Sequence, residues 1–459
     1  MGHVVTLLIS VWVGLAPWAL GSNRPLPWAY NAAAAGIIAV LAALMVWRDR
    51  RRGQPLRADL LLHPLGLWGL ALGWAAIQLL PDGSFGLPSI GWPVAAIPLE
   101  GFSPTMTANA SETTASLMRF LTYTCLFLAV FAAARDIDRA AILFRALIVA
   151  AVLYALYGFL RSTSGADKLL WFDLPHTRAI TGPFINRNTA ATYFGLASCL
   201  SLVLVLRRAR HLLDDAEDSR TPRMGAERLM SGIVGTFGFE LAIFILLLTA
   251  TVLSLSRAGV TATLVALLLG LVLQRLRTRH WSSGGPAAVV SFMVGLLAVA
   301  AVLQISGAGL IERLADTDFT GEGRIAIFAD TLTAIREHAW TGTGLGTFQD
   351  IFPIYRNRTG ASVLILDKAH NDYLEILLGL GLVFGSAAIL AIGLLAWRCL
   401  RGTFVRRRNG HLPAAATMAT ALVGLHALVD FSLQIQAVAM TFITILAIGV
   451  AQSVSDREQ

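Results

Sequence analysis

Long apolar runs recur along this chain at a length matched to a lipid bilayer, and no other feature constrains its fold as strongly. Crossing ~30 Å of hydrocarbon as a helix takes about 18 or more predominantly apolar residues. Twelve such windows stand at about 4–21, 29–47, 60–80, 115–134, 139–160, 188–206, 232–254, 258–274, 286–306, 372–397, 413–430 and 434–452. In lipid the backbone N–H and C=O groups find no outside partner, so these segments are expected to be helices. Composition agrees: 56% of residues are hydrophobic and 14% charged, with mean hydropathy +0.67. A soluble domain is nearer half apolar and a quarter charged. The reading is an all-α polytopic membrane protein of about twelve transmembrane helices. Residues 1–306 carry nine of them with short loops, 307–371 form a large polar loop, and 372–459 carry the last three.

The first run has no basic segment before it and more runs follow, so it reads as an uncleaved helix and not a signal peptide. Cys125, Cys199 and Cys399 fall in or at the ends of predicted spans, as small apolar packers without a disulfide framework. The net charge of +8 is a matter of placement. Threading the spans from a cytoplasmic N-terminus gathers 23 of the 36 Lys+Arg residues on the cytoplasmic side, in 48–57, 135–145, 207–228, 275–279, 398–408 and the tail. That is the positive-inside bias, which fixes orientation with both termini cytoplasmic. No nucleic-acid-binding module is visible.

The polar segments 81–114, 161–188 and 307–371 then face the other side, where loops of this length usually carry function. Within the last, Arg324 to Trp340 reads as an amphipathic helix. Ile325, Phe328, Leu332 and Ile335 share one face, and Asp330, Thr333 and Glu337 lie opposite. Gly342-Thr343-Gly344-Leu345-Gly346 follows no strand and lacks a Gly-Lys-Ser/Thr ending, so it reads as a flexible turn and not a nucleotide loop. There is no internal repeat.

Three residues carry candidate chemistry. His370, in Ala369-His370-Asn371-Asp372-Tyr373-Leu374-Glu375, sits where the large loop enters a helix and can accept a proton near neutral pH. Asn371 or Asp372 can cap that helix, whose N-terminus favours an anion. Arg257, between two apolar runs with almost no loop, offers a planar fork for phosphate oxygens. Arg324 opens the amphipathic helix, where a cation opposes the helix dipole unless an anion joins it. The plain alternatives are an interfacial His satisfying backbone groups, an arginine snorkelling to lipid phosphates, and a surface salt bridge from Arg324 to Asp330 or Glu322. Asn186 and Asn188 suit capping of the sixth span, and Arg187 adds positive field. His426 and Asp430, four apart, are expected to satisfy each other or a neighbouring helix. No His, Cys and carboxylate set has metal-ligand spacing, so neither metal nor cofactor is expected.

These residues carry a resemblance. Gly182-Pro183-Phe184-Ile185-Asn186-Arg187-Asn188, Ser256-Arg257-Ala258-Gly259, Gly323-Arg324, the glycine segment through Phe348, and His370-Asn371-Asp372-Tyr373-Leu374 together resemble the O-antigen ligase family, which also holds O-antigen polymerases. The resemblance implies an inverting, GT-C-like glycosyltransferase in the inner membrane. Its donor is a glycan on undecaprenyl diphosphate, presented at the periplasmic face. Its acceptor is a hydroxyl of lipid A–core or of another lipid-linked glycan. It further implies Arg257, Arg324 and His370 as catalytic residues, with Asn186, Arg187, Asn371 and Tyr373 as substrate contacts. A polymerase shares all of these motifs. A transporter is the rival outside enzymology, but it predicts charged or broken helices at the bilayer midplane and inverted repeats.

Overall fold

The computed structural model describes residues 1–53, 57–84, 105–165, 167–174, 177–217, 221, 224, 231–232, 235–277, 321–356, 366–406 and 408–454. The protein is an all-α polytopic membrane protein, with a single small hairpin among the described residues. Its principal helices are α1 (Gly2–Leu15), α2 (Pro25–Arg51), α3 (Leu62–Ile77), α4 (Ala110–Ala133), α5 (Ile137–Ser164), α6 (Arg187–Glu217), α7 (Thr236–Leu253) and α8 (Arg257–Arg277). After them come α9 (Gly321–Glu337), α10 (Phe348–Tyr355), α11 (Asp372–Val405), α12 (His411–His426) and α13 (Gln436–Ala451). The hairpin pairs β1 (Lys168–Leu169) with β2 (Phe172–Asp173) antiparallel.

Seven of the described helices (α2, α4, α5, α6, α7, α8 and α11) are long and apolar enough to cross a membrane. Shorter apolar helices run over Gly2–Trp18, Leu62–Ile77 and Gln436–Ala451. The window expected at 286–306 lies outside the described residues, as do 307–320 and 357–365 of the large loop.

Lipid tails are as apolar as leucine, so helices in a bilayer associate through close packing and hydrogen bonds. Both are present. A Cβ on Gly259 would stand 2.5 Å from that of Ala191, so only glycine lets α8 approach α6 so closely. Asn31 of α2 accepts from Trp12 of α1 at 2.9 Å and donates to Gln436 of α13 at 2.8 Å. At the other end of α13, Gln452 donates to the Ala134 carbonyl at 2.6 Å and its own carbonyl accepts from Arg406 at 3.2 Å. The centre of the bundle is α6, whose apolar window is 94% buried. Cys199 and Cys399 are buried thiols in that packing and Cys125 is half-buried.

Two expectations for the large loop need correction. Its first helix begins at Gly321, and its buried face is Ile327, Asp330, Thr331, Ala334 and Ile335, while Ile325 is 68% and Leu332 42% exposed. Apolar residues wrap too much of this helix for periodicity to choose a face. The glycine segment is likewise no flexible turn. Thr343 and Gly344 donate their N–H groups to the Leu378 and Gly379 carbonyls at 2.9 and 3.0 Å, and Ala108 donates to Thr343. The segment runs beside a break in α11, where Gly381 takes φ 75, ψ 171. Gly342 itself has φ 68, and a Cβ there would lie 2.3 Å from the Gly379 carbonyl oxygen.

Candidate active site

Four helices begin at one place. Arg187 is the first residue of α6 and Arg257 the first of α8; Arg324 lies in the first turn of α9, and Asp372 opens α11. What joins them is the turn from Ala427 to Ser432 that follows α12. Arg324 donates through Nη1 to the Val429 carbonyl at 3.2 Å. The Asn371 amide donates to the Leu428 carbonyl at 2.9 Å, and the Asp372 N–H to the Ala427 carbonyl at 3.0 Å. The His370 ring stands edge-on to Phe431 with centroids 5.0 Å apart. Asp430 accepts from Asn188 at 2.9 Å, and Asn188 in turn accepts from Ser256 at 2.8 Å, which draws in the residues beside Arg187 and Arg257. Each helix N-terminus carries about half a positive charge on unpaired N–H groups. The cluster therefore forms a cationic focus.

His370 occupies the left-handed region at φ 54, a strained backbone for a residue with a Cβ. Neighbours impose that geometry. Glu375 accepts from the Ala369 N–H at 2.6 Å, and Asn371 caps α11 by accepting from the Tyr373 and Leu374 N–H groups at 3.0 and 3.1 Å. Burial pushes the His370 pKa below its ordinary value and the Arg324 charge pushes the same way, against a weaker upward pull from Asp430 and Asp367. The imidazole is thus neutral at neutral pH, the form that accepts a proton.

Arg324 does not form the salt bridge of the plain alternative among the described residues. Its Nη1 binds a carbonyl, and its Nε is buried with no acceptor among the described residues. A buried guanidinium N–H without a partner is costly, and an anionic oxygen is its natural complement. Arg257 is exposed and forms no side-chain hydrogen bond or ion pair among the described residues. Asn186 accepts from the Asn188 N–H at 2.7 Å, the capping role expected of it. The Tyr373 hydroxyl donates to the Gly424 carbonyl at 2.9 Å, which fixes α11 against α12.

The turn that organises the site was not singled out by the sequence reading. His426 and Asp430 do not bond each other but, as the other expectation had it, a neighbouring helix: His426 Nδ1 meets Thr192 of α6 at 2.7 Å, and Asp430 binds Asn188 of α6 as well as Ser432. The signal available was an acidic residue buried in an otherwise apolar run. Among the described residues no three His, Cys, Asp or Glu side chains gather at metal-ligating distance.

Two hollows adjoin the cluster. One, of ≈ 300 Å³ and mostly apolar, lies between α3, α4, α11, α12 and α13, with Arg119, Asp372, Tyr373, Glu375 and Gln434 as polar lining. Arg119 is held over the Trp28 ring at 4.3 Å and donates to Ser116 at 2.8 Å. The other, of ≈ 420 Å³, is lined by Arg161, Arg178, Phe184, Arg187 and Leu255. Beside it the hairpin carries exposed Trp171, 5.9 Å from Trp18.

Residues 242–389 match the family model described as O-antigen ligase. The match covers about a third of the chain, and over that stretch the sequence is similar to the O-antigen ligase family. The matched region holds Arg257, Arg324, His370, Asn371, Tyr373 and the glycine segment, whereas Asn186, Arg187 and the Ala427–Ser432 turn lie outside it. No curated protein matches the chain.

Proposed function

We propose that this protein is an inverting glycosyltransferase that moves a glycan from undecaprenyl diphosphate to a hydroxyl of lipid A–core. The observation that carries this reading is the convergence of four helix N-termini, an arginine with a buried open donor, and a neutral imidazole around one turn. A diphosphate suits the first two and an acceptor hydroxyl the third.

In this mechanism Arg257 and Arg324 bind the diphosphate and stabilise the charge that builds on it as it leaves. The acceptor oxygen attacks the anomeric carbon from the opposite face. The bond from that carbon to the phosphate oxygen breaks, its electron pair departs with the diphosphate, and His370 takes the hydroxyl proton. Arg187 and Asn186 hold donor oxygens at the start of α6, and Asn371 sets the height of His370. The apolar hollow beside Asp372 accommodates part of the lipid tail, and the large loop covers the sugars so that the reactants are held in line. Twelve spans, a GT-C-like arrangement, cytoplasmic termini and a site facing the periplasm of the inner membrane complete the proposal. The 23 Lys+Arg residues that threading the sequence gathers in loops on the other side from His370 support that orientation.

The test is reconstitution of purified protein with a defined lipid-linked glycan, with and without lipid A–core, and analysis of product length. One glycan per acceptor, formed only when lipid A–core is present, is the expected result. A ladder of lengths from donor alone means a polymerase acting through the same site. No transfer to either acceptor, with glycan-lipid crossing the bilayer instead, would point to transport.

A further inference from the structure

A second charged cavity lies at the far end of the bundle. Helices α6, α8 and α12 each touch the candidate active site at one end and this cavity at the other. On α6, Arg187 and Arg207 are twenty residues apart, and on α8 so are Arg257 and Arg277, about 30 Å at 1.5 Å per residue. The cavity holds ≈ 440 Å³ and is lined by Arg207, Arg210, His211, Arg277, Arg408 and His411 among others. Orientation alone asks only for basic residues somewhere on this side. It does not ask that four guanidinium groups from three separate segments face one hollow.

Asp214 is the carboxylate lining this hollow, 3.7 Å from Arg210. Arg207 approaches His411 at 3.3 Å. Arg277 lies against Gly410 and donates to the Arg406 carbonyl at 3.2 Å, which holds its guanidinium in place. Burial, with the charges of Arg207, Arg277 and Arg406, drives the His411 pKa down to about 3, so its ring is neutral beside these guanidinium groups. The inner wall is apolar, from Val203, Leu206 and Leu273. An arginine rim over an apolar wall matches the junction between a phosphate headgroup and its glycerol ester chains, and guanidinium forks match phosphate oxygens.

We propose that this cavity binds a phosphate-bearing anion, supplied either by the headgroup of an acidic phospholipid or by free phosphate. The site is distinct from the one holding His370 and does not depend on the transfer reaction.

The experiment uses the full-length protein purified in neutral detergent. Native mass spectrometry counts retained dioleoyl phosphatidylglycerol against dioleoyl phosphatidylcholine, and thermal unfolding is followed with added inorganic phosphate. The expected result is selective retention of phosphatidylglycerol, or stabilisation by phosphate, weakened roughly fivefold for each arginine removed in R207Q/R210Q. Preference for the lipid identifies a headgroup site, and preference for phosphate a soluble one. Arg50→Gln with Arg52→Gln, at the same end but not among the cavity's lining residues, leaves binding within about twofold if the cavity is specific. If R207Q/R210Q misfolds, the exposed Arg408→Gln gives the same readout. Failure of wild-type protein to bind either probe overturns the proposal. So does undiminished binding by the cavity variants, or equal loss in the Arg50 and Arg52 control.

Discussion

At the scale of single residues, the candidate site depends on protonation and on one unpaired donor. His370 acts as a base only when neutral, and burial with the Arg324 charge lowers its pKa. Turnover is therefore expected to stay flat through neutral pH and to fall on the acid side, with a midpoint below the ordinary value of 6.5. Arg324→Gln removes one downward influence, so its residual activity should lose its acid limb at higher pH. Asp430→Asn removes the main upward one and should move the limb lower. A wild-type midpoint at or above the ordinary histidine value, from initial rates across a pH series, would contradict this account. Arg257→Ala and Arg324→Ala are each expected to cut turnover ~10²–10³-fold, the usual loss when a group facing developing charge is removed. His370→Ala should cost ~10²–10⁴-fold. All three should still insert, and Arg257→Ala, which breaks no described side-chain bond, should unfold like the wild type; His370→Ala with wild-type turnover would rule out the base assignment.

At the scale of elements, two features should register in stability. Asn371→Ala removes both capping bonds of α11 and the bond to Leu428, and should cost about 0.5–2 kcal/mol from the cap alone. Asn371→Asp keeps the cap acceptor and should recover most of that loss in a melting experiment. Gly342→Ala meets both a positive φ and a backbone oxygen, so a drop in melting temperature larger than that of Asn371→Ala is expected. Equal melting of Gly342→Ala and wild type would mean that the glycine segment packs more loosely than described. The sequence reading was sound for elements whose signal is local. Apolar runs marked the helices, and Asn186 and Asn371 announced their caps through side-chain chemistry. It failed where tertiary contacts decide, as with the face that α9 buries. The glycine segment looked mobile because its partners at Leu378 and Gly379 are distant in sequence. Asp430 was undervalued for the same reason: its partner Asn188 lies 242 residues away.

At the scale of the molecule, the prediction concerns sidedness. Trp171→Cys and Asn409→Cys, in a background lacking Cys125, Cys199 and Cys399, should react with a membrane-impermeant thiol reagent from opposite sides of sealed vesicles. Labelling of both from one side would refute the orientation. The long axis of the bundle thus separates two positively charged regions: one built on helix N-termini around His370, the other on arginine side chains around His411. The reading from sequence located both stretches of charge but treated the second only as an orientation signal, because a count of arginines carries no information on whether they share a hollow.

The Ala427–Ser432 turn serves as a common datum, since Arg324, His370, Asn371 and Asn188 each contact it. Lengthening it by one residue would shift every one of those alignments together, whereas changes elsewhere in the loops would disturb them one at a time. Relatives with the same chemistry should therefore vary freely in loop length almost everywhere, yet keep the spacing between the end of α12 and the start of α13.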